Sequence, residues 1–101
     1  MIDTWGGRSQ FDYLGSIAAG TRITYGDGNE ITVTAQQYRE LLNYFQGRTV
    51  SVSPERTNPT AGSLEEWLQV NVTRTAIATY VAPILINEGV ATRTANNALR
   101  F

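Results

Sequence analysis

The chain contains no cysteine, no histidine and no lysine. Without cysteine there are no disulfides and no thiolate chemistry, which argues against a small secreted domain held by staples. Without histidine the commonest general base and the commonest transition-metal ligand are both missing. Because lysine is absent, all eight basic residues are arginines. Coding bias in a GC-rich genome accounts for this most simply. The functional alternative is selection of arginine for bidentate contacts to phosphate or guanine. No apolar run approaches the about 20 residues needed to span a bilayer. Met1-Ile-Asp-Thr-Trp-Gly-Gly7 also lacks the basic and apolar segments of a secretory signal. These features point to a cytoplasmic protein with no membrane contact.

What is present suits one domain. Hydrophobic residues make up 42% of 101 positions, enough for a core and too many for a disordered chain. The net charge of −1 lacks the basic surplus of a dedicated nucleic-acid binder. The charge is uneven, however: from Val72 to Phe101, Arg74, Arg93 and Arg100 stand against Glu88 alone.

Residues 1–20 read as an N-terminal extension broken by glycines, with a short helix near Gln10 to Ile17. Trp5, Phe11, Tyr13 and Leu14 are its candidates for packing on the domain. Residues 21–101 read as the single domain. Thr21 to Val33 alternates apolar and polar residues around Gly26-Asp-Gly-Asn29, a β-hairpin signal. Thr34-Ala-Gln-Gln37 is a capping box, and Val33 and Tyr38 stand at the positions of a hydrophobic staple. Tyr38, Leu41, Leu42 and Phe45 then form one apolar stripe, closed by Gly47. Arg48 to Ser53 reads as a strand, and Pro54 to Gly62 as a loop.

Ser63-Leu-Glu-Glu66 is a second capping box and starts a helix to about Asn71. A third helix is expected over Thr73–Glu88, with Ile77, Tyr80, Val81, Ile84 and Leu85 at helical spacing and Gly89 just beyond it. Val90 to Thr94 and Ala98 to Phe101 read as strands joined by Ala95-Asn96-Asn97. The expected core is Leu41, Leu42, Phe45, Trp67, Leu68, Ile77, Tyr80, Val81, Ile84 and Leu85.

The order from Thr34 onward, with Tyr80-Val-Ala-Pro-Ile-Leu-Ile-Asn-Glu-Gly-Val-Ala-Thr-Arg93 as its most recognisable piece, resembles the winged helix-turn-helix domain over the last two-thirds of the chain. The resemblance implies an α+β fold, three helices with a small antiparallel sheet, here carrying an extra N-terminal β-hairpin. It also implies that the third helix enters the major groove of double-stranded DNA while a wing meets the backbone. On that basis Arg74, Thr75, Thr79, Arg93, Asn96, Asn97 and Arg100 are the candidate DNA contacts of a transcriptional regulator.

Two features depart from that pattern. The outward face of the third helix, Thr75, Thr79, Ala82, Pro83 and Ile86, is small and apolar. It suits packing on another protein or on the N-terminal hairpin. Pro83 removes a helical hydrogen bond and is expected to kink the helix or break it near Ala82. A protein-interaction or oligomerisation module using Ala82, Pro83 and Ile86 is therefore the alternative. Catalysis is not expected: Glu65 and Glu66 read as helix-end charge, and the Ser and Thr residues have no evident base. No cofactor or metal is called for.

Overall fold

Alternation of apolar and polar residues sets the first third of the chain into strands. The computed structural model describes residues 1–101. Strands β1 (Ile2–Asp3), β2 (Gln10–Ser16), β3 (Gly20–Tyr25) and β4 (Asn29–Val33) form an antiparallel sheet in sequential order. The stretch expected as a helix near Gln10 is thus strand β2. Its register sets Tyr13 opposite Ile23 and Gly15 opposite Thr21. Phe11 is buried on one side of the strand, whereas Leu14, expected to pack, is 70% exposed on the other. Period-two alternation overrides helix propensity once a partner strand is available. Residues 1–20 therefore supply two strands, and Trp5 and Phe11 share one core with Leu99 at the other end of the chain.

Helix α1 (Ala35–Phe45) begins at the complete capping box: Thr34 Oγ1 accepts the Gln37 amide at 3.1 Å, and Gln37 Oε1 accepts the Thr34 amide at 2.9 Å. Its apolar stripe buries Tyr38, Leu41 and Phe45. The Tyr38 hydroxyl shares a 2.7 Å hydrogen bond with Thr21 Oγ1, tying α1 to β3. Burial pushes this phenol up to about 12.

The rest of the chain comprises β5 (Thr49–Ser51), α2 (Leu64–Asn71), α3 (Ala78–Asn87), β6 (Thr92–Ala95) and β7 (Ala98–Arg100). The three strands form a second antiparallel sheet in the order β5–β7–β6. The molecule is an α+β domain of three helices and two antiparallel sheets, and none of its helices is long and apolar enough to cross a membrane. Of the expected core, Leu42, Trp67 and Tyr80 are partly exposed at its margin; the other seven are buried. Ser63 Oγ caps the Glu66 amide at 3.2 Å, but the returning Glu66 carboxylate takes the Gly62 amide at 2.8 Å rather than that of Ser63.

Helix α3 starts at Ala78, not Thr73. Its N-cap residue, Ile77, has no side chain able to accept a hydrogen bond. The missing acceptor comes from α2: the buried Glu65 carboxylate accepts the Ala78 amide through Oε1 at 3.0 Å and the Gln69 side-chain amide through Oε2 at 3.1 Å. The Ile77 amide also points at it. Burial pushes the Glu65 pKa up, against the opposing pull of these donors. Leu64 sits in the core, while Arg74 and Thr75 bend through the turn from α2 to α3 and are exposed. Gly89 ends α3 at a φ of 78°, with Val90 N–H on the Leu85 carbonyl and Gly89 N–H on that of Ile86, each at 3.0 Å. This is a Schellman closure, and it requires the left-handed backbone that glycine adopts freely.

Glu65→Ala leaves buried α3 amides without an acceptor and should cost about 2–3 kcal/mol in a denaturant melt. Because the folded pKa of Glu65 is raised, its contribution is fully present below the unfolded value and is lost as pH rises through the folded one. Wild type should thus gain on Glu65→Gln as the medium is acidified from neutrality through that window. Urea midpoints measured across pH check both statements.

Candidate functional site

The surface on which both sequence expectations converge is the outer side of α3. Pro83 lies inside this helix, which runs unbroken from Ala78 to Asn87, so of the two expected outcomes, a kink or a break near Ala82, the break does not occur. A proline has no N–H, so the carbonyl four residues earlier, that of Thr79, loses its helical donor. The structure fills the vacancy from the N-terminal segment: the Trp5 amide donates to Thr79 O at 2.9 Å. The chain beyond β1 is thereby laid against α3, and Trp5 is buried there.

Trp5 then fastens the β6–β7 turn. Its indole Nε1–H donates to Asn96 O at 2.9 Å. The Arg93 guanidinium stacks over the indole, with Cζ 3.8 Å from the ring centroid. Arg93 also donates to Trp5 O at 3.0 Å, Asn96 O at 2.8 Å and Ala95 O at 3.2 Å. Three of the five guanidinium N–H groups are therefore used inside the fold.

At the far end of α3 strand β2 makes a second attachment. The Tyr13 hydroxyl donates to Glu88 Oε2 at 2.8 Å and accepts from Asn87 Nδ2 at 2.8 Å, and the Ile17 amide reaches Glu88 Oε1 at 3.3 Å. Burial, with the Glu88 carboxylate beside it, pushes the Tyr13 phenol up. Between the two attachments Tyr80 stacks on Tyr25 at 4.8 Å and meets the Phe11 ring edge-on at 5.1 Å.

The candidate DNA contacts are consequently dispersed. Thr79 is half-buried and gives its carbonyl to Trp5. Asn97 is committed to β5: its Oδ1 accepts the Ser53 amide at 2.9 Å, its Nδ2 donates to Ser51 Oγ at 2.7 Å, and its carbonyl takes the Val52 amide at 3.0 Å. Asn96 supplies the carbonyl shared by Trp5 and Arg93. In the small sheet Arg93 faces Leu99 across the ladder, whereas Arg100 faces Thr49 and Thr92. Cross-strand partners share a face and sequence neighbours do not, so Arg93 and Arg100 belong to opposite faces. Arg74 and Thr75 are exposed in the α2–α3 turn, where Arg74 lines an open depression with Arg56, Thr57, Gln69 and Val70. The seven residues do not form one continuous positive face.

The alternative interface is altered as well. Ala82 is fully buried, so it cannot meet a partner. Pro83 is half-buried and Ile86 is 37% exposed; with Ile2 and Trp5 they line a shallow depression between α3 and the N-terminal strand. Two residues that sequence reasoning passed over as functional, Trp5 and Glu65, organise this region, and Asn97, expected at a DNA contact, is used inside the fold. Only Pro83 signalled any of it, by announcing a carbonyl in need of a donor. No three acidic side chains converge in a way that could hold a metal ion. Comparison with known family models, curated proteins and solved structures found no match to this chain.

Arg93→Ala removes three hydrogen bonds and a stacking contact, and should destabilise by about 1–2 kcal/mol, whereas a free surface arginine would cost less than about 0.5 kcal/mol. Chemical denaturation of this variant beside Arg100→Ala checks the contrast.

Proposed function

We propose that this chain is a non-catalytic protein-binding module on a winged-helix-like scaffold. The scaffold reading is supported by the order α1–β5–α2–α3–β6–β7 and by the central place of the last strand between β5 and β6. The observation that carries the functional choice is the covering of α3 by the chain's own N-terminal segment, through Trp5 N–H on Thr79 O and the full burial of Ala82. A helix covered in this way does not offer a face for a DNA groove, and a guanidinium stacked on Trp5 is not free for a phosphate. Large apolar side chains are instead exposed elsewhere, Tyr44 at 54% and Val70 at 78%. Contiguous exposed apolar surface marks partner sites more often than nucleic-acid sites. A regulator that reads double-stranded DNA through α3 and the wing is the competing reading. Self-association is one way in which the module could act.

Titration of the protein with mixed-sequence duplex DNA across a salt series tests the choice. The expected result is no salt-sensitive complex. A complex that weakens steeply with salt, and whose log–log salt slope falls by about one on Arg74→Gln, would establish the DNA reading instead.

A further inference from the structure

Resting on the protein-binding reading, we infer that the outer face of α2 docks an acidic peptide segment carrying an apolar anchor. Trp67 and Val70 lie three residues apart on α2, and hence on one side of it. Val70 lines two depressions. One, of about 350 Å³, is lined by Tyr44, Trp67 and Val70, with Ser63 and Glu66 at the start of α2 and Asn71 at its end. The other, of about 690 Å³, is lined by Arg56, Arg74, Thr57 and Gln69 beside the same valine. The first holds an aliphatic or aromatic side chain over an indole; the second holds carboxylates between two guanidiniums. Tyr, Trp and Arg around an exposed aliphatic residue is the composition of an interface centre.

Charge decides the kind of occupant. The chain's single ion pair joins the Met1 amino group to Asp12, so neither Arg56 nor Arg74 has a carboxylate within bridging distance. The nearby carboxylates already hold donors of the chain itself. Glu55 binds the Ser53 hydroxyl, Glu66 holds the Gly62 amide, and Glu65 is buried on the start of α3. The loop that carries Arg56 is fixed. Gln69 Nε2 donates to the carbonyls of Glu55 and Arg56, each at 3.2 Å, and Ser53 Oγ accepts the Thr60 amide at 2.9 Å. Ser53 and Asn58, the only non-glycine residues with positive φ, both lie in this loop, at 47° and 52°. A held loop presents its arginine with less ordering cost on binding. The protruding valine distinguishes this surface from a phosphate-tracking groove, since an aliphatic side chain gains nothing from a nucleic-acid backbone.

The test uses the full isotope-labelled chain in NMR titrations. The probes are a peptide of alternating Leu and Glu, its counterpart with Gln for Glu, an all-Glu peptide without Leu, and mixed-sequence duplex DNA. The Leu–Glu peptide should move the Trp67 indole and Val70 methyl resonances. Its binding should weaken about tenfold with the Gln peptide, with the all-Glu peptide, or in the Arg56→Gln/Arg74→Gln variant, a change of about 1.4 kcal/mol. Absence of binding, or binding indifferent to the double substitution, overturns the inference. Shifts confined to Ile2, Pro83 and Ile86 overturn this face while leaving the protein-binding reading intact. Salt-sensitive DNA binding at the α2 resonances overturns both.

Discussion

A single backbone carbonyl, that of Thr79, determines how the two halves of this protein meet. Pro83 deprives it of its helical donor, and a buried carbonyl without a donor costs about 1–3 kcal/mol. The Trp5 amide, arriving from the other end of the sequence, supplies the hydrogen bond. That contact anchors the start of the N-terminal sheet on α3, and the bonds of Tyr13 to Glu88 and Asn87 and of Thr21 to Tyr38 hold the rest of it. The indole is set beneath Arg93, the Arg93 donors close on the β6–β7 turn, and the Phe11–Tyr80–Tyr25 aromatic cluster covers the middle of α3. Proline inside a helix is usually read as damage to be tolerated. Here its consequence is an acceptor aimed outward, which the rest of the chain uses as an anchor point.

A second remote contact completes α3. Its own N-cap residue cannot accept a hydrogen bond, so the buried Glu65 of α2 does so. A carboxylate at a helix N-terminus is favoured by the exposed amides and the helix dipole. That interaction offsets only part of the cost of burying the charge, so the Glu65 pKa stays raised. The same contact joins the two ends of the α2–α3 turn, on which Arg74 is exposed. Thus α3 is held at its start by α2, along its outer side by the N-terminal segment, and at its end by Tyr13 on β2. A helix held on so many sides serves as the spine of the domain, and the surfaces left for a partner belong to its neighbours.

Much of this fold was legible from local chemistry. The capping residues Thr34 and Ser63 mark helix starts, Gly89 marks a helix end, and the alternation around Gly26–Asn29 marks a hairpin; each signal operates within a few residues. The parts that were not legible depend on partners distant in sequence. Gln10 to Ser16 becomes a strand because β3 lies beside it. The start of α3 shifts to Ala78 because its cap comes from Glu65, which in sequence looks like an ordinary helix-end charge. The candidate DNA residues Arg93 and Asn97 had the right chemistry for contacts, but the structure turns that chemistry inward, toward Trp5 and β5. The apolar outer face at Ala82 was legible as a surface suited to packing on another protein or on the hairpin of residues 21–33; the donor to Thr79 comes instead from Trp5, in the segment read as an extension.

The functional account therefore depends on whether the N-terminal segment is a fixed part of the domain. Amide hydrogen exchange at Trp5 measures this most directly, since its backbone N–H is the one bound to Thr79 and its indole N–H the one bound to Asn96. The account predicts that both protons exchange as slowly as the core amides of α3, opening only with the whole domain. Exchange at the rate of an unprotected terminus, with α3 still protected, would show a segment that leaves the helix uncovered and would contradict it.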